Sequence, residues 1–297
     1  MDIYPNERGI IRKCGVCLVS ILTLLIAAFP LTAQQIEYDK VPPSILEERF
    51  HRVTDKNLER EQVLRELFEK AGCIQEQLVE QRVKGSRTPN VICTLKGTEE
   101  DRIVVGAHYD KVSNGHGAVD NWSGAALLPS LYQGLKSKAR RLTFVFVGFT
   151  DEERGLVGSR FFAKDLSAED KAKIRAMVNI DSLGLSDTKV WAARADKALL
   201  EAAGVVAHAA KLPVAGVNLG QAGDSDSRTF MESKIPVIDF HSLTQETFPI
   251  LHTTRDTISA VRLPEYENTY ALLVAYLAYL DLTWRAGGEV PHSSKHP

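Results

Sequence analysis

Cysteine and excess charge of either sign are both scarce in this sequence of 297 residues. It contains four cysteines, and its 36 basic and 38 acidic residues give a formal net charge of -2. Because basic residues are not in excess, the chain has few positive charges with which to bind the phosphate backbone of a nucleic acid. We therefore expect no nucleic-acid partner. The rest of the composition, 44% hydrophobic and 25% charged, is that of a globular protein with a sizeable core. No internal repeat is found, and one main domain is expected.

Long hydrophobic runs are also rare, and the clearest one lies near the amino terminus. Arg12 and Lys13 precede an uncharged run that ends at Leu31, and Ala33 offers a small residue at a cleavage site. We interpret residues 1–33 as a signal peptide, which would direct the domain at 34–288 to a secreted or periplasmic location. The run approaches the roughly 18 residues that a spanning helix needs, so an uncleaved membrane anchor is the alternative. Residues 289–297 form a polar tail.

The four cysteines fall into two pairs. Cys14 and Cys17 lie in or beside the amino-terminal segment, so its removal would leave Cys73 and Cys93 in an oxidising compartment. These two could form a disulfide or remain buried free thiols, because their spacing in sequence does not define the distance between their Cα atoms. Neither is assigned to a metal, since the spacing lacks the paired pattern of a structural zinc site.

The middle of the chain alternates between strand and helix patterns. Apolar runs predict strands at 102–107, 141–149 and 174–180, and helical patterns occupy 121–136 and 155–173. Such alternation, with nearly continuous Val, Ile and Phe in the strands, is typical of a buried and mainly parallel sheet. We therefore predict an α/β fold of three layers, α/β/α, around a mixed sheet that is parallel at its centre.

Further elements extend this pattern on both sides. A helical region at 44–71 would cover one face of the sheet, and short runs at 74–81 and 90–95 predict an antiparallel hairpin. More strands and a closing helix are predicted at 189–193, 214–219, 236–240 and 263–284. Ligands of such sheets bind beyond the carboxyl ends of the strands, so functional residues are expected there.

Acidic and imidazole side chains occur at these strand ends and at the start of the first central helix. They are His108, Asp110, Asp120, Glu152, Glu153 and Asp181. Each has an ordinary structural explanation when taken singly, such as a helix N-cap. Together they supply the mixed nitrogen and oxygen ligands that zinc accepts, and a carboxylate between two ions suits a hydrolase with two metals. Two adjacent acids at the end of a buried strand are also unfavourable without a cation.

These segments resemble the M28 family of zinc peptidases. Agreement in order and content extends over about residues 61–284, and it implies the zinc exopeptidase fold, which is similar to that of phosphorylases and hydrolases. The matching stretches are VGAHYD at 105–110, GAVDNWSG at 117–124, DEERGLVGSR at 151–160, NID at 179–181 and LHTTRDT at 251–257.

The resemblance implies a site for two zinc ions per chain. His108 and Asp181 would bind one ion, Glu153 and His252 would bind the other, and Asp120 would bridge both. The implied activity is that of a zinc-dependent exopeptidase, an aminopeptidase that hydrolyses the first peptide bond of substrates with a free amino terminus. A membrane would be a partner only if the amino-terminal segment stayed uncleaved.

Two further carboxylates have implied catalytic roles. Glu152, adjacent to the ligand Glu153, would be the general base that takes a proton from a metal-bridging water and passes it to the leaving amine. Asp110 would accept the second ring N-H of His108 and so fix its tautomer. Asp256 could support His252 in the same way or be an ordinary loop residue. Asn121 resembles the family position with an unusual peptide geometry beside the bridging ligand.

Two positions depart from the family pattern. Residues 225–227 read Ser-Asp-Ser, where the family often has a histidine after the aspartate, and Lys111 follows Asp110 where a small residue is common. These departures concern the shape of the substrate pocket, and with it the specificity, more than the reaction. We interpret His116 and His241, which lie near the matching stretches, as loop and strand residues rather than substrate contacts.

Two other functions remain open at this point. Glutaminyl-peptide cyclases share the fold and use a similar His-Tyr-Asp stretch with an acidic pair, but they hold a single zinc and do not hydrolyse peptides. A catalytically inactive, membrane-anchored ectodomain is the other alternative. The stretch at 120–124 follows the peptidase version, and all five implied ligands are present, so the peptidase is the favoured hypothesis.

Overall fold

A mixed sheet of eight strands runs through the residues that the computed structural model describes, 36–218 and 223–284. In space the strands follow the order β1-β2-β4-β3-β5-β8-β6-β7. Along the chain they are β1 (Leu78–Gln81), β2 (Asn90–Leu95), β3 (Arg102–His108), β4 (Thr143–Phe149), β5 (Ile174–Ile180), β6 (Lys189–Trp191), β7 (Ala215–Val217) and β8 (Val237–His241). The signal peptide and polar tail proposed above lie outside the described residues and stay predictions.

The four central strands, β4, β3, β5 and β8, are parallel to one another. Strands β1 and β2 form the expected antiparallel hairpin, which continues the sheet from β4, and β6 runs antiparallel to β8. Every residue of β4 is buried, as its sequence TFVFVGF requires of a strand that is covered on both faces. The prediction of a mixed sheet that is parallel at its centre is confirmed.

Helices cover both faces of the sheet and complete the three layers. They are α1 (Pro43–Phe50), α2 (Asn57–Lys70), α3 (Ser123–Lys136), α4 (Val157–Asp165), α5 (Ala168–Lys173), α6 (Lys197–Ala210), α7 (Ser227–Glu232) and α8 (Leu263–Thr283). The larger hydrophobic cluster joins one face of the sheet to α1, α2, α3, α6 and α8. A smaller cluster joins the other face to α4 and α7 through Phe162 and Phe230. Across the described ranges no helix is long and apolar enough to span a bilayer.

The single helix predicted at 155–173 is wrong. The structure divides this segment into α4 and α5, because Leu166 is extended and Ser167 begins a new helix. The hydroxyl oxygen of Ser167 accepts a hydrogen bond from the main-chain N-H of Asp170 at 2.9 Å. This N-cap satisfies a main-chain N-H group at the start of α5. In a continuous helix, a main-chain carbonyl one turn earlier would accept that hydrogen bond instead.

A disulfide joins Cys73, which follows α2, to Cys93 in β2, and their Cα atoms are 6.3 Å apart. The question that their spacing left open is thereby answered in favour of the disulfide. The bond ties the hairpin at the edge of the sheet to the helix that covers it. It lies among the buried residues of the larger hydrophobic cluster, and Cys93 is paired with Phe146, three residues before the carboxyl end of β4.

Candidate active site

The five candidate ligands come from five different segments that meet at one edge of the sheet. His108 ends β3, Glu153 follows β4 and Asp181 follows β5. These strands are parallel and adjacent, so their carboxyl ends lie side by side. Asp120 lies in the turn that leads into α3, and His252 lies in the loop between β8 and α8. We call these five residues the ligand cage.

Their side chains are close enough to share metal ions. Nε2 of His108 lies 3.2 Å from Oδ1 of Asp120 and 3.8 Å from Oδ2 of Asp181. Nε2 of His252 lies 3.1 Å from Oδ2 of Asp120 and 3.1 Å from a carboxylate oxygen of Glu153. Each oxygen of Asp120 therefore faces a different histidine, and the cage has two halves. The inner half is His108 with Asp181, and the outer half is Glu153 with His252.

This donor set fits two cations. The inner half with Asp120, and the outer half with Asp120, each offer three ligand atoms that lie within 4.8 Å of one another. Imidazole nitrogen and carboxylate oxygen in this number are ligands that zinc accepts. Burial raises the pKa of Asp181 to about 8, because the site gathers several carboxylates where little water can solvate them. Cations in the cage would offset this cost of burying negative charge.

Asp110 connects the two halves. Its carboxylate oxygen Oδ1 lies 3.4 Å from Nδ1 of His108, and its main-chain oxygen lies 3.2 Å from the same atom. The carboxylate also accepts hydrogen bonds from the main-chain N-H groups of Glu152 at 3.0 Å and Glu153 at 3.3 Å. The structure thus places Asp110 beside the His108 ring and adds a contact to the loop after β4 that the sequence did not reveal.

Asp256 supports the turn that carries Asp120. Its carboxylate accepts hydrogen bonds from the main-chain N-H groups of Val119 at 2.6 Å and Asp120 at 3.3 Å. The sequence left two roles open for Asp256: support of His252 or an ordinary loop position. The observed contact is a third role, because Asp256 binds the main chain beside Asp120. The Asp120–Asn121 peptide bond is cis, which agrees with the unusual geometry expected at this position.

Arg60 of α2 holds the same turn from the other side, and no pattern in the sequence indicates this role. Its fully buried guanidinium donates hydrogen bonds to the main-chain oxygens of Tyr109 at 3.1 Å and Gly117 at 3.0 Å. Gly117 adopts a φ of 57°, and a Cβ atom there would lie 2.6 Å from Cβ of Lys111 and 2.8 Å from the main-chain oxygen of Asp120. A side chain at Gly117 would therefore displace the bridging candidate.

A cavity of about 610 Å³ opens directly onto the cage. Glu152 lines it beside Glu153, as the predicted general base must. Burial raises the pKa of Glu152 to about 10, the nearby imidazole of His108 opposes this shift, and the carboxylate of Asp226 adds to it. The apolar part of the lining is formed by Leu156, Trp191, Leu243, Phe248, Pro249 and Leu251.

The remaining positions singled out in the sequence have different outcomes. His241 lines the cavity at the end of β8, and its Nδ1 accepts the main-chain N-H of Leu243 at 3.0 Å, so the interpretation as an ordinary strand residue was incomplete. His116 is exposed and pairs with Asp55 at 2.9 Å outside the cavity. Lys111 donates to main-chain oxygens of its own loop.

The serines at 225 and 227 bind a buried carboxylate instead of the cage. The hydroxyls of Ser225 and Ser227 donate to the two carboxylate oxygens of Asp239 at 2.6 and 2.8 Å. Asp226, between them, is buried. Ser225 also lines the cavity, whereas Ser227, which stands at the position where the family often has a histidine, and Lys111 do not.

The chain is similar in sequence to known peptidases. Residues 90–277 match the family model described as Peptidase family M28. An aminopeptidase of Pseudomonas aeruginosa is 39% identical over 103 residues, which are 34% of this chain and 19% of that protein. The chain thus matches less than two thirds of the length of this relative.

Two solved structures show the same fold. LapB from Legionella pneumophila superposes with a TM-score of 0.73 at 21% identity, over 82% of this chain and 73% of that one. A glutaminyl cyclase from an Acidobacteriales bacterium superposes with a TM-score of 0.68 at 17% identity, over 84% of this chain and 98% of that one. At these identities the likeness concerns the fold alone.

Proposed function

Because the chain belongs to peptidase family M28, we propose that it is a zinc-dependent aminopeptidase, which removes residues from the free amino terminus of peptides. The observation that carries the proposal is the position of Asp120. Its two carboxylate oxygens each face a separate pair of candidate ligands, as a residue shared between two ions requires. The aminopeptidase names among its relatives support the same activity.

The cage residues would divide two zinc ions between them. His108 and Asp181 would hold one ion, Glu153 and His252 the other, and Asp120 both. When bound there, zinc would lower the pKa of a water molecule and polarise the scissile carbonyl. Asp110 keeps the His108 ring oriented through Nδ1, so that Nε2 faces Asp120 and Asp181.

Glu152 is the group that would move the proton. It lines the cavity beside the cage, and its main-chain N-H is held by Asp110. Its carboxylate would take a proton from the attacking water and give it to the nitrogen of the leaving amine. Burial raises the pKa of Glu152, which helps it to keep a proton between these two steps, whereas positive charge in the cage would lower that pKa towards neutrality.

A single experiment separates this proposal from the cyclase alternative, which the shared fold keeps open. The zinc-loaded protein is incubated with one peptide that begins with glutamine and one that begins with leucine, and the products are weighed by mass spectrometry. We expect both peptides to lose their first residue and amino-terminally acetylated versions to stay intact. Loss of ammonia from the glutamine peptide alone would identify a cyclase.

Export of the protein is a separate proposal. The charged and apolar pattern of residues 1–33 and the Cys73–Cys93 disulfide both suit an oxidising compartment outside the cytosol. Sequencing the amino terminus of the protein recovered from the exported fraction would test it. A chain that remains in the membrane with residue 1 intact would support the anchor instead.

A further inference from the structure

Arg160 of α4 is a charged side chain of the cavity that the proposed reaction does not use. It lines the same cavity as Glu152 and the cage, together with Gly155 and Leu156 from the turn that precedes α4. The residue is exposed, so it lies at the mouth of the cavity rather than at its floor. The cavity thus has a positive charge at its opening.

The guanidinium of Arg160 has no partner among the residues that the structure describes. Arg154, earlier in the same segment, forms an ion pair with Asp151 at 2.6 Å, and Arg228 pairs with Asp224 at 2.9 Å. Within residues 36–218 and 223–284, Arg160 makes neither an ion pair nor a side-chain hydrogen bond. Its five donors remain available to a ligand with the planar, two-oxygen geometry of a carboxylate.

Two exposed residues of opposite charge, Arg160 and Asp224, line the cavity, but Asp224 is paired with Arg228 at 2.9 Å, which leaves Arg160 as the charge available to a ligand. The interior carries the carboxylates of Asp120, Glu152, Glu153 and Asp181, whereas Arg160 lies at the opening. A peptide whose positive amino terminus enters the cavity must leave through that opening, so the part beyond the scissile bond passes Arg160. Complementary charge at this point selects among substrates and fixes their direction of binding.

We propose that Arg160 binds a carboxylate on the leaving side of the substrate. The inference rests on the proposed aminopeptidase function and adds a substrate class to it: short peptides with a negative charge directly after the first residue. That charge has two sources, the terminal carboxylate of a dipeptide or an acidic side chain at the second position. Both present the same two oxygens to the guanidinium.

Two matched pairs of substrates distinguish these sources. Leucylglycine and leucylglycinamide differ in the terminal carboxylate, whereas leucyl-aspartate α-amide and leucyl-asparagine α-amide differ in a side-chain carboxylate of the same shape. We expect the charged member to have the higher kcat/KM in at least one pair. Because Arg160 is exposed, this preference should shrink as the salt concentration rises.

The variants address the side chain directly. Arg160→Gln keeps the length of the side chain and removes its charge, and it should lower the preference for the charged member by about 3- to 10-fold. Arg160→Lys keeps the charge and should retain part of the preference. Arg82→Gln is the matched control, since Arg82 is also exposed and lies outside the cavity. An equal preference in the Arg160→Gln and wild-type proteins, for both pairs, would overturn the proposal.

A binding measurement separates this inference from the proposed reaction. The same four peptides are titrated by calorimetry into zinc-loaded Glu152→Gln protein, with and without Arg160→Gln. We expect the charged peptides alone to bind about 3- to 10-fold more weakly when Arg160 is replaced. Absence of hydrolysis by the wild-type protein would reject the aminopeptidase, whereas affinities that Arg160→Gln leaves unchanged would reject the carboxylate contact.

Discussion

The two halves of the ligand cage contain the same kinds of side chain but differ in how the protein holds them. His108 of the inner half ends a central strand and its side chain is 2% exposed, whereas His252 of the outer half lies in a loop and is 54% exposed. The His252 main chain is contacted by the side chain of Asn114 at 3.1 Å. A ligand on a loop opens locally at a lower free energy than one within a sheet. We therefore expect the outer half to exchange zinc first.

Removing one histidine from each half would test this difference most directly. His252→Ala should reduce zinc towards one ion per chain with little change in the unfolding temperature of the metal-free protein, because the residue is exposed. His108→Ala should also destabilise the fold, by roughly 2–5 kcal/mol, because it empties a buried position. Activity should fall to background in both. Metal analysis and thermal unfolding measure the difference, and His208→Ala, at an exposed position, is the control. Equal losses of stability in the His252 and His108 variants would contradict the prediction.

Glu152→Gln would stop the reaction and leave both halves of the cage intact. The substitution keeps the shape of the side chain and removes the proton acceptor, so kcat should fall by about 10²- to 10⁴-fold. Zinc content should remain at the wild-type value. Near wild-type turnover at full zinc occupancy would show that another group moves the proton.

Asp110→Asn tests the connection between the halves. The amide keeps one acceptor for the main-chain N-H groups of the β4 loop but weakens the orientation of the His108 ring. We expect a loss of about 10- to 100-fold in activity or zinc affinity, which is typical of residues that orient a metal ligand. The inner ion should be the more affected, as shown by metal analysis after mild chelation. A loss confined to the outer ion would be the opposite result.

The disulfide provides a change that touches neither half. Replacing Cys73 and Cys93 together by serine should lower the free energy of unfolding by about 3 kcal/mol, mainly because the unfolded chain gains freedom. Activity at 25 °C should change less than twofold, since neither cysteine belongs to the cage. Denaturant unfolding and kinetics measure the two effects. A large loss of activity in a folded variant would mean that the hairpin helps to position the site.

Local patterns were sufficient for the central elements of the fold. The apolar run at 174–180 predicted β5 to the residue, because the strand is covered on both faces and leaves no ambiguity. The break between α4 and α5 was missed although Ser167 and Asp170 form a recognisable capping pattern. That pattern was passed over because the apolar and polar spacing on its two sides is continuous with a single helix.

The site depended on both motif and tertiary structure. The cage residues follow strands or open a helix, so their types and positions were predictable, whereas their distances were not. Arg60 and Asp256 act through main-chain contacts to residues 49 and 137 positions away, and no local pattern encodes such contacts. His241 was set aside because a histidine at the end of a strand is common. Its place at the cavity follows only from the packing of β8 beside β5.

Asp120 has a thermodynamic consequence because it belongs to both halves of the cage. Any change that the first zinc ion makes in the affinity for the second must be matched by an equal change in the other direction. With two ions bound as proposed, the shared Asp120 would couple their affinities, and a substitution confined to the outer loop would alter how tightly the inner ion is held. Metal content measured at a single zinc concentration then reports on the coupled pair rather than on either half.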